Sequence, residues 1–389
     1  MMVSNKQQSG RIKYIDGLRG ICALIVVMSH FMVAFFPSSY WGASLPSHTL
    51  YNLDTYLAQS PLSLFYAGNY AVCIFFIISG FVLSKNYYAN NQKINKLATT
   101  RYLRLCIPIL FSTLIIFIFM KFSIFKSIQA SNITGSIWLQ NLYNFNPNFG
   151  DMLKVTLFDV FFLGSGKYNT VLWMMSILFY GSFLTIFITM LWSNIKNRHI
   201  IYLILGIIFF KLNKIYYISF ILGIVLSDLD TNHKNIINKI TGNLYCMFMI
   251  ILGIYLGCYP TGITPTNTFY SWLNIGEQSY LIYHILGAFM VVLGVICCKK
   301  IQIILSKTIF QYLGKLSFSI FLVHIIILSS FSCNIFIKVW NLTQRYQFSF
   351  IISFIPSIII IIGFSHLFYK LIEQNLNKMV SKTYDKFFL

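Results

Sequence analysis

An arginine and a histidine in the first apolar segment are the residues best suited to chemistry. Arg19 precedes His30 by eleven residues in the stretch "YIDGLRGICALIVVMSHF" (14-31). Eleven helical residues make three turns plus roughly 20°, so both side chains share one face, about 16 Å apart. If Arg19 marks the cytoplasmic boundary, His30 lies near the bilayer midplane, where an ionisable group is costly unless it faces a polar cavity. We therefore predict that His30 acts as a general base, with a hydrogen bond to a neighbouring helix as the structural alternative.

Three more charged residues could support such a base. Asp16 lies three residues before Arg19 and could cap the helix or hold the Arg19 guanidinium. Arg101 and Arg104, in "RYLRLCIP" (101-108), are neighbours on one helix face. Paired guanidinium groups bind phosphates through charge-assisted hydrogen bonds. The alternative for both arginines is the excess of positive charge that cytoplasmic segments carry without any ligand.

Composition places these residues in a membrane protein. Of the 389 residues, 57% are hydrophobic and only 10% charged, and the mean hydropathy is +0.71. These values exclude an ordinary soluble protein. The net charge of +20 therefore indicates membrane topology and contact with the lipid bilayer, and not nucleic-acid binding. The eight cysteines show no metal-binding or disulfide spacing, so no metal site is expected.

Ten apolar stretches could cross a bilayer. They predict an all-α bundle of about ten transmembrane helices in a single membrane domain, 1-389, with no separate soluble domain. Two of the stretches, 200-210 and 215-227, are short against the roughly 20 residues that a crossing usually needs. The predicted spans are 20-36, 64-84, 105-120, 169-192, 200-210, 215-227, 243-259, 280-298, 316-334 and 350-370.

The distribution of lysine and arginine gives an orientation. With a cytoplasmic amino terminus, the cytoplasmic segments hold 20 of the 29 basic residues, and the outer loops 37-63 and 260-279 hold none. This asymmetry predicts that both termini are cytoplasmic. The first span lacks a small-residue cleavage site and is expected to remain as a signal anchor. The segment 121-168 contains an apolar patch, "VTLFDVFFLG", that could enter the membrane or lie on it.

Several motifs together resemble those of a known family. Arg19 and His30, following "DGLRG", are similar to the signature of the type-three acyltransferase family of integral membrane proteins, which includes O-antigen and other polysaccharide O-acetylases. Further matching motifs follow in the family's order: "FFIISGFVLS" (75-84), "RYLRLCIP" (101-108), "LWMMSILFYGSFL" (172-184), "FILGIVLSD" (220-228), "LGKLSFSIFLVH" (313-324) and "YKLIE" (369-373).

The resemblance implies an enzyme that transfers an acyl group from coenzyme A to a hydroxyl. The donor would be a cytoplasmic acyl-CoA, usually acetyl-CoA, used as a substrate with no permanently bound cofactor. His30 would serve as the base or as an acyl relay, with Asp16 and Arg19 beside it in the catalytic set. Arg19, Arg101 and Arg104 would bind the CoA phosphates.

One position departs from the family pattern. Relatives with the "W…GS" form of the fourth motif commonly carry a glutamate where this chain has Leu178, before "FYGS". A carboxylate that orients the base or binds the acceptor must come from elsewhere or be absent. Glu277, Glu373 and Asp159 are the alternatives, and the sequence does not decide among them.

Four other motif residues are weaker candidates for substrate contact or structural roles: Ser79, Trp173, Ser182 and His324. Ser79 and Gly80 suit close helix packing. His324 ends an apolar helix, where a polar core contact competes with a catalytic role. His284 and His366 lack motif support and are interpreted as structural.

The acceptor is inferred from the outer loops and from the resemblance. The loops are rich in Tyr, Trp and Asn ("SSYWGAS", "NLYNFNPN", "TNTFYSWLN"), which can bind sugars but also suit any membrane interface. We expect a lipid-linked or nascent surface glycan as acceptor and a bacterial inner membrane as location. A transporter and a catalytically silent scaffold for glycan assembly remain the alternatives, and the sequence leaves the oligomeric state open.

Overall fold

The computed structural model describes residues 12–388 except 90, 236, 238–241 and 267. Its described residues form helices, turns and irregular loops without strands, which confirms the all-α prediction. Ten helices of at least 14 residues precede the helix Gln374–Phe388 and are named α1 to α10 in chain order: Lys13–Phe35, Gly68–Ala89, Asn91–Lys121, Met174–Trp192, Arg198–Lys211, Tyr216–Asn232, Asn243–Gly257, Ser279–Cys297, Thr308–Ile327 and Tyr346–Phe368.

Each of these helices falls on one of the predicted spans. Among the described residues, seven helices are long and apolar enough to cross a membrane, including α1, α2, α8 and the helices that contain α9 and α10, which confirms a polytopic membrane bundle. Helices α5, α6 and α7 have 14, 17 and 15 residues. The count of ten crossings and the cytoplasmic location of both termini stay predictions, and residues 1–11 and 389 lie outside the described part.

Helices α1 and α3, like α9, begin several residues before their predicted spans. Helix α1 begins at Lys13 and α3 at Asn91, although the predicted spans begin at 20 and 105. The added segments 13–19 and 91–104 contain no proline and one glycine, Gly17, which costs a helix only about 1 kcal/mol, so the hydrogen-bonded ladder continues past the apolar segment. Arg19, Arg101 and Arg104 therefore lie on regular helix.

Glycines in the family-like motifs bring the central helices into close contact. A Cβ atom on Gly314 of α9 would lie 2.0 Å from the carbonyl oxygen of Asp16, and one on Gly223 of α6 would lie 2.3 Å from that of Ile77 on α2. Helix α1 packs most extensively on α9, and α2 on α6. Small residues permit such close approach between membrane helices. The motif glycines thus fix the distance between the helices that carry the candidate site.

The segments between the helices are mostly short helical turns. The apolar patch after 154 forms a π-helical turn, Val155–Asp159, and a short helix, Val160–Phe162, that pack against α3 and α4. Helix α9 continues through a π-helical turn, Leu328–Ser332, into Cys333–Thr343, and α10 continues through another, Tyr369–Glu373, into Gln374–Phe388.

Candidate active site

The close packing of α1 on α9 brings two histidines together. His30 Nδ1 lies 3.2 Å from His324 Nε2, and the ring centroids are 5.0 Å apart. His324 is fully buried, while His30 is partly accessible. The residues are 294 positions apart in the chain. The structure therefore places His324 beside the residue that the sequence singled out as the base.

The backbone fixes which nitrogen of each ring carries the proton. His30 Nδ1 lies 2.8 Å from the carbonyl oxygen of Val26, and His324 Nδ1 lies 2.9 Å from that of Ile320. A carbonyl oxygen can only accept, so each Nδ1 carries a proton and donates it one helical turn back. In the neutral rings, His324 Nε2 is then an acceptor for the His30 Nδ1 proton. His30 Nε2 keeps its lone pair and has no hydrogen-bond partner among the described residues.

A cavity of about 270 Å³ adjoins His30. Its walls come from α1, α2, α9, the start of α4 with the turn before it, and the segments that join α1 to α2 and α3 to α4. The Trp138 ring lies 5.4 Å from the His30 ring. The polar and aromatic wall residues besides His30 are Ser29, Tyr40, Trp41, Asn69, Trp138, Trp173 and Phe321, and valines, a methionine and a glycine complete the wall. His30 thus borders a mainly apolar, aromatic cavity that also offers a few polar groups.

The motif arginines lie on α1 and α3, and α3 contributes no residue to the His30 cavity. Arg101 Nη2 donates to the Ser182 hydroxyl at 2.8 Å, which joins α3 to α4. Arg19 lies within electrostatic range of Arg101, which is in turn close to Arg104. The buried Nε atoms of Arg101 and Arg104 have no hydrogen-bond partner among the described residues. Buried donors without partners are rare in folded proteins and are consistent with a site for an anionic ligand.

Asp16 lies beside Arg19 and does not cap its helix. Its carboxylate lies 3.8 Å from Arg19 Nη1, and no side-chain cap bond forms at the start of α1 in the described residues. The helix begins at Lys13, so Asp16 belongs to its first turn and not to its cap. Asp16 is buried, whereas the Arg19 side chain is 39% exposed. The contact therefore favours Asp16 as the residue that holds the Arg19 guanidinium.

The chain matches a family model along most of its length. Residues 12–370 match the Acyl_transf_3 model, described as an acyltransferase domain. The chain belongs to the type-three acyltransferase family. "Acyltransferase clz18" from Cochliobolus lunatus is 23% identical and "Acyltransferase R4" from Phoma sp. (strain ATCC 20986 / MF5453) is 20% identical, each over 95% of both chains. No solved structure matches the chain.

Membership confirms the predicted class of enzyme. The protein is a membrane acyltransferase, and the motif residues named from the sequence lie within the matched range, except residues 371–373 of the last motif. Both relatives are fungal, so the comparison gives no support for a bacterial membrane. The acyl group, the donor, the acceptor and the roles of individual residues are proposals.

None of the alternative carboxylates of this acyltransferase hydrogen-bonds either histidine in the described structure. Glu373 is buried, accepts a hydrogen bond from Ser319 and lies within electrostatic range of Arg19. Asp159 lies 3.9 Å from Lys154 Nζ, and Glu277 is exposed beside another cavity. Leu178, at the position of the missing glutamate, provides a carbonyl that accepts from Ser182.

The remaining candidates separate into wall and packing residues. Trp173 lines the cavity and packs on Tyr216 at 5.6 Å. Ser79 is half-buried on α2 and does not line the His30 cavity, whereas Ser182 binds Arg101. Sequence reasoning missed Trp138 and Asn69, which also line the cavity. Trp138 lies in "SIWLQN" of the long segment between α3 and α4, where the signal was a lone tryptophan among apolar residues.

Proposed function

We propose that this protein moves an acyl group, most simply acetyl, from cytoplasmic acyl-CoA to a hydroxyl of a lipid-linked or nascent surface glycan such as O-antigen or exopolysaccharide. The observation that carries the proposal is the hydrogen bonding of the His30 ring. Its Nδ1 contacts the Val26 carbonyl and His324 Nε2, while Nε2 has no hydrogen-bond partner among the described residues and His30 lines a cavity of about 270 Å³. This is the arrangement that a general base for a hydroxyl requires.

The reaction follows from that geometry. An acceptor hydroxyl in the cavity gives its proton to His30 Nε2 as its oxygen attacks the thioester carbonyl. The carbon–sulfur bond breaks, and the imidazolium returns the proton to the CoA thiolate. The alternative step is an acyl relay, in which His30 Nε2 uses the same lone pair to take the acyl group from CoA before passing it to the acceptor hydroxyl.

His324 is proposed as a positioning residue for this base. When His30 Nε2 takes a proton, the positive charge is shared with the Nδ1–H group, which lies 3.2 Å from the His324 acceptor nitrogen. A third group that orients a catalytic base commonly acts in this way. We infer that His324, supplied by α9, replaces the orienting function that a carboxylate at the Leu178 position could have in relatives.

The donor would reach His30 from the arginine cluster. Arg19, Arg101 and Arg104 would bind the CoA phosphates, and the unpartnered Nε donors of Arg101 and Arg104 support this assignment. Arg19 and His30 are separated by eleven residues of α1, about 16 Å. An extended pantetheine arm can bridge that distance, so the thioester could reach the cavity while the nucleotide stays at the arginines.

The cavity walls support a sugar hydroxyl as acceptor. Trp41, Trp138 and Trp173 offer flat apolar faces for a sugar ring, and Asn69 and Ser29 offer hydrogen-bonding groups. The volume of about 270 Å³ fits a single ring of a longer glycan. The location proposed with this acceptor is the bacterial inner membrane, which rests on the resemblance to polysaccharide O-acetylases.

The test is mass spectrometry of surface glycans from cells with the wild-type gene, a deletion and His30→Ala, at matched membrane levels of protein. We expect the mass increment of one acyl group with the wild type alone. The same preparations are then assayed for CoA thiol release from acetyl-CoA. If thiol release depends on His30 but the glycans do not change, the glycan is not the acceptor, while the role of His30 as the base stands. Identical glycans and identical thiol release would overturn both.

A further inference from the structure

A groove between α5 and α6 lies apart from the His30 cavity. Its volume is about 730 Å³, and no residue lines both sites. Leu203, Ile207 and Phe210 of α5 form one wall, with at least 49% of each residue exposed. The other wall is an apolar face of α6 that includes Leu222 and Val225. The groove is the size of a small-molecule site and has almost wholly apolar walls.

A glycine on α5 leaves the middle of the groove without a side chain. Gly206 lies midway along α5, and a Cβ atom there would meet no other atom within 4 Å. From His199 to Phe210 the helix extends about 16 Å, which is half of the roughly 30 Å hydrocarbon core of a bilayer. The apolar part of the groove therefore matches the depth of one leaflet and has room for a hydrocarbon chain.

One end of the groove is basic. Lys196, His199 and His233 line it beside an ion pair between Arg198 and Asp228. Arg198 Nε lies 2.7 Å from Asp228 Oδ2, and Nη2 lies 2.5 Å from Oδ1.

The negative charge of Asp228 thus neutralises the positive charge of Arg198. Lys196 remains as a cation, and the two histidines can add N–H donors, at the end where a lipid headgroup would lie. Basic pockets between membrane helices bind anionic headgroups in this manner.

We propose that this groove binds one glycerophospholipid with an anionic headgroup. One acyl chain would lie along Leu203, Gly206 and Phe210, and the headgroup phosphate would bind Lys196, His199 and His233. The ion pair between Arg198 and Asp228 holds the two helices together at the headgroup end. The site is independent of the acyl-transfer proposal because it shares no residue with the His30 cavity or the arginine cluster.

The test measures retained lipid on the purified full-length protein by native mass spectrometry, with phosphatidylglycerol and phosphatidylcholine as probes. We expect one phosphatidylglycerol per chain at concentrations where phosphatidylcholine is not retained. Gly206→Trp fills the groove and should weaken phosphatidylglycerol binding at least tenfold. Gly363→Trp is the matched control, because Gly363 of α10 also faces open space but lies outside the groove.

A second pair of variants tests the headgroup without changing the groove. Lys196→Gln combined with His199→Gln should lower the preference for phosphatidylglycerol over phosphatidylcholine about tenfold. Lys299→Gln combined with Lys300→Gln, two exposed lysines outside the groove, should leave it unchanged. Raising the salt concentration should weaken the preference in the wild type, since exposed charges are screened.

Three results would overturn the proposal. Retention of phosphatidylglycerol by Gly206→Trp at wild-type affinity would show that the lipid binds elsewhere. Equal binding of both lipids, unaffected by the Lys196 and His199 changes, would exclude a headgroup site. A dimer that becomes a monomer in Gly206→Trp would show that a second copy of the chain covers the groove.

Discussion

Two histidines of this acyltransferase differ in how many ring nitrogens hydrogen-bond to the protein. In His30, Nδ1 contacts Val26 and His324, Nε2 has no hydrogen-bond partner among the described residues, and the residue lines a cavity. His284 on α8 has both engaged: Nδ1 lies 3.0 Å from Asn69 Oδ1 and Nε2 lies 2.9 Å from the carbonyl oxygen of Tyr259. A ring without a spare nitrogen cannot accept a substrate proton. The fold therefore makes His30 available for chemistry and uses His284 as a cross-link.

Asn69 contacts His284 and also lines the cavity beside His30. Its amide contacts His284 on one side and the Tyr216 hydroxyl on the other, and its side chain also lines the His30 cavity. A neutral His284 that donates from Nε2 to the Tyr259 carbonyl can only accept at Nδ1. The oxygen and nitrogen of the Asn69 amide are then exchanged, so that its NH₂ group faces His284. In that orientation the Tyr216 hydroxyl donates to the Asn69 oxygen. His284 thus positions a wall of the cavity without touching an acceptor.

The largest expected effect is the loss of the base. His30→Gln should lower the rate of acceptor-dependent thiol release about 10²- to 10⁴-fold, the usual contribution of a general base. His284→Gln, assayed at the same concentration of folded protein, should stay within about threefold of the wild type. Stopped-time assays with acetyl-CoA and a thiol reagent measure both variants. Equal losses in the two variants would remove the distinction between them.

The positioning role of His324 should have the next largest effect. His324→Leu removes one of the two acceptors for the His30 Nδ1 proton and leaves the Val26 carbonyl, and it should lower kcat about 10- to 100-fold with little change in KM for acetyl-CoA. His324→Gln retains an acceptor oxygen and should recover part of that loss. If His324 has only a structural role, the loss of activity in each variant should follow its amount of folded protein. It should not depend on whether residue 324 can accept a hydrogen bond from His30. Steady-state kinetics on matched amounts of folded protein separates the two roles.

The distance between the histidines depends on the helix contact that holds them. Gly314→Ala would place a methyl group against the Asp16 carbonyl and should destabilise the protein by about 1–3 kcal/mol. Helices α1 and α9 would move apart, and the hydrogen bond from His30 to His324 would lengthen. Gly363→Ala faces open space and serves as the control. Thermal unfolding in detergent, with activity measured on the same samples, tests whether stability and kcat fall together.

The sequence predicted the helices of this site better than the contacts between them. Periodicity placed Arg19 and His30 on one helix face, and the apolar stretches marked each long helix. The pairing of His30 with His324 depends on how α1 packs against α9, a contact between residues 294 positions apart. Trp138 and Asn69 reach the cavity from other segments in the same way. Local spacing carries no information on such contacts, so motif order could suggest His324 but not its partner.

The smallest expected effect concerns the cross-link at His284. In His284→Gln, one side-chain amide can replace one of the two ring bonds, so the free energy of unfolding should fall by about 0.5–1.5 kcal/mol, the net value of a single hydrogen bond. The position of Asn69 would loosen, which should raise KM for the acceptor and leave kcat unchanged. Acceptor titrations beside a thermal unfolding curve measure both quantities. A fall in kcat at unchanged stability would instead place His284 in the proton path, and the comparison with His30 would then have to be abandoned.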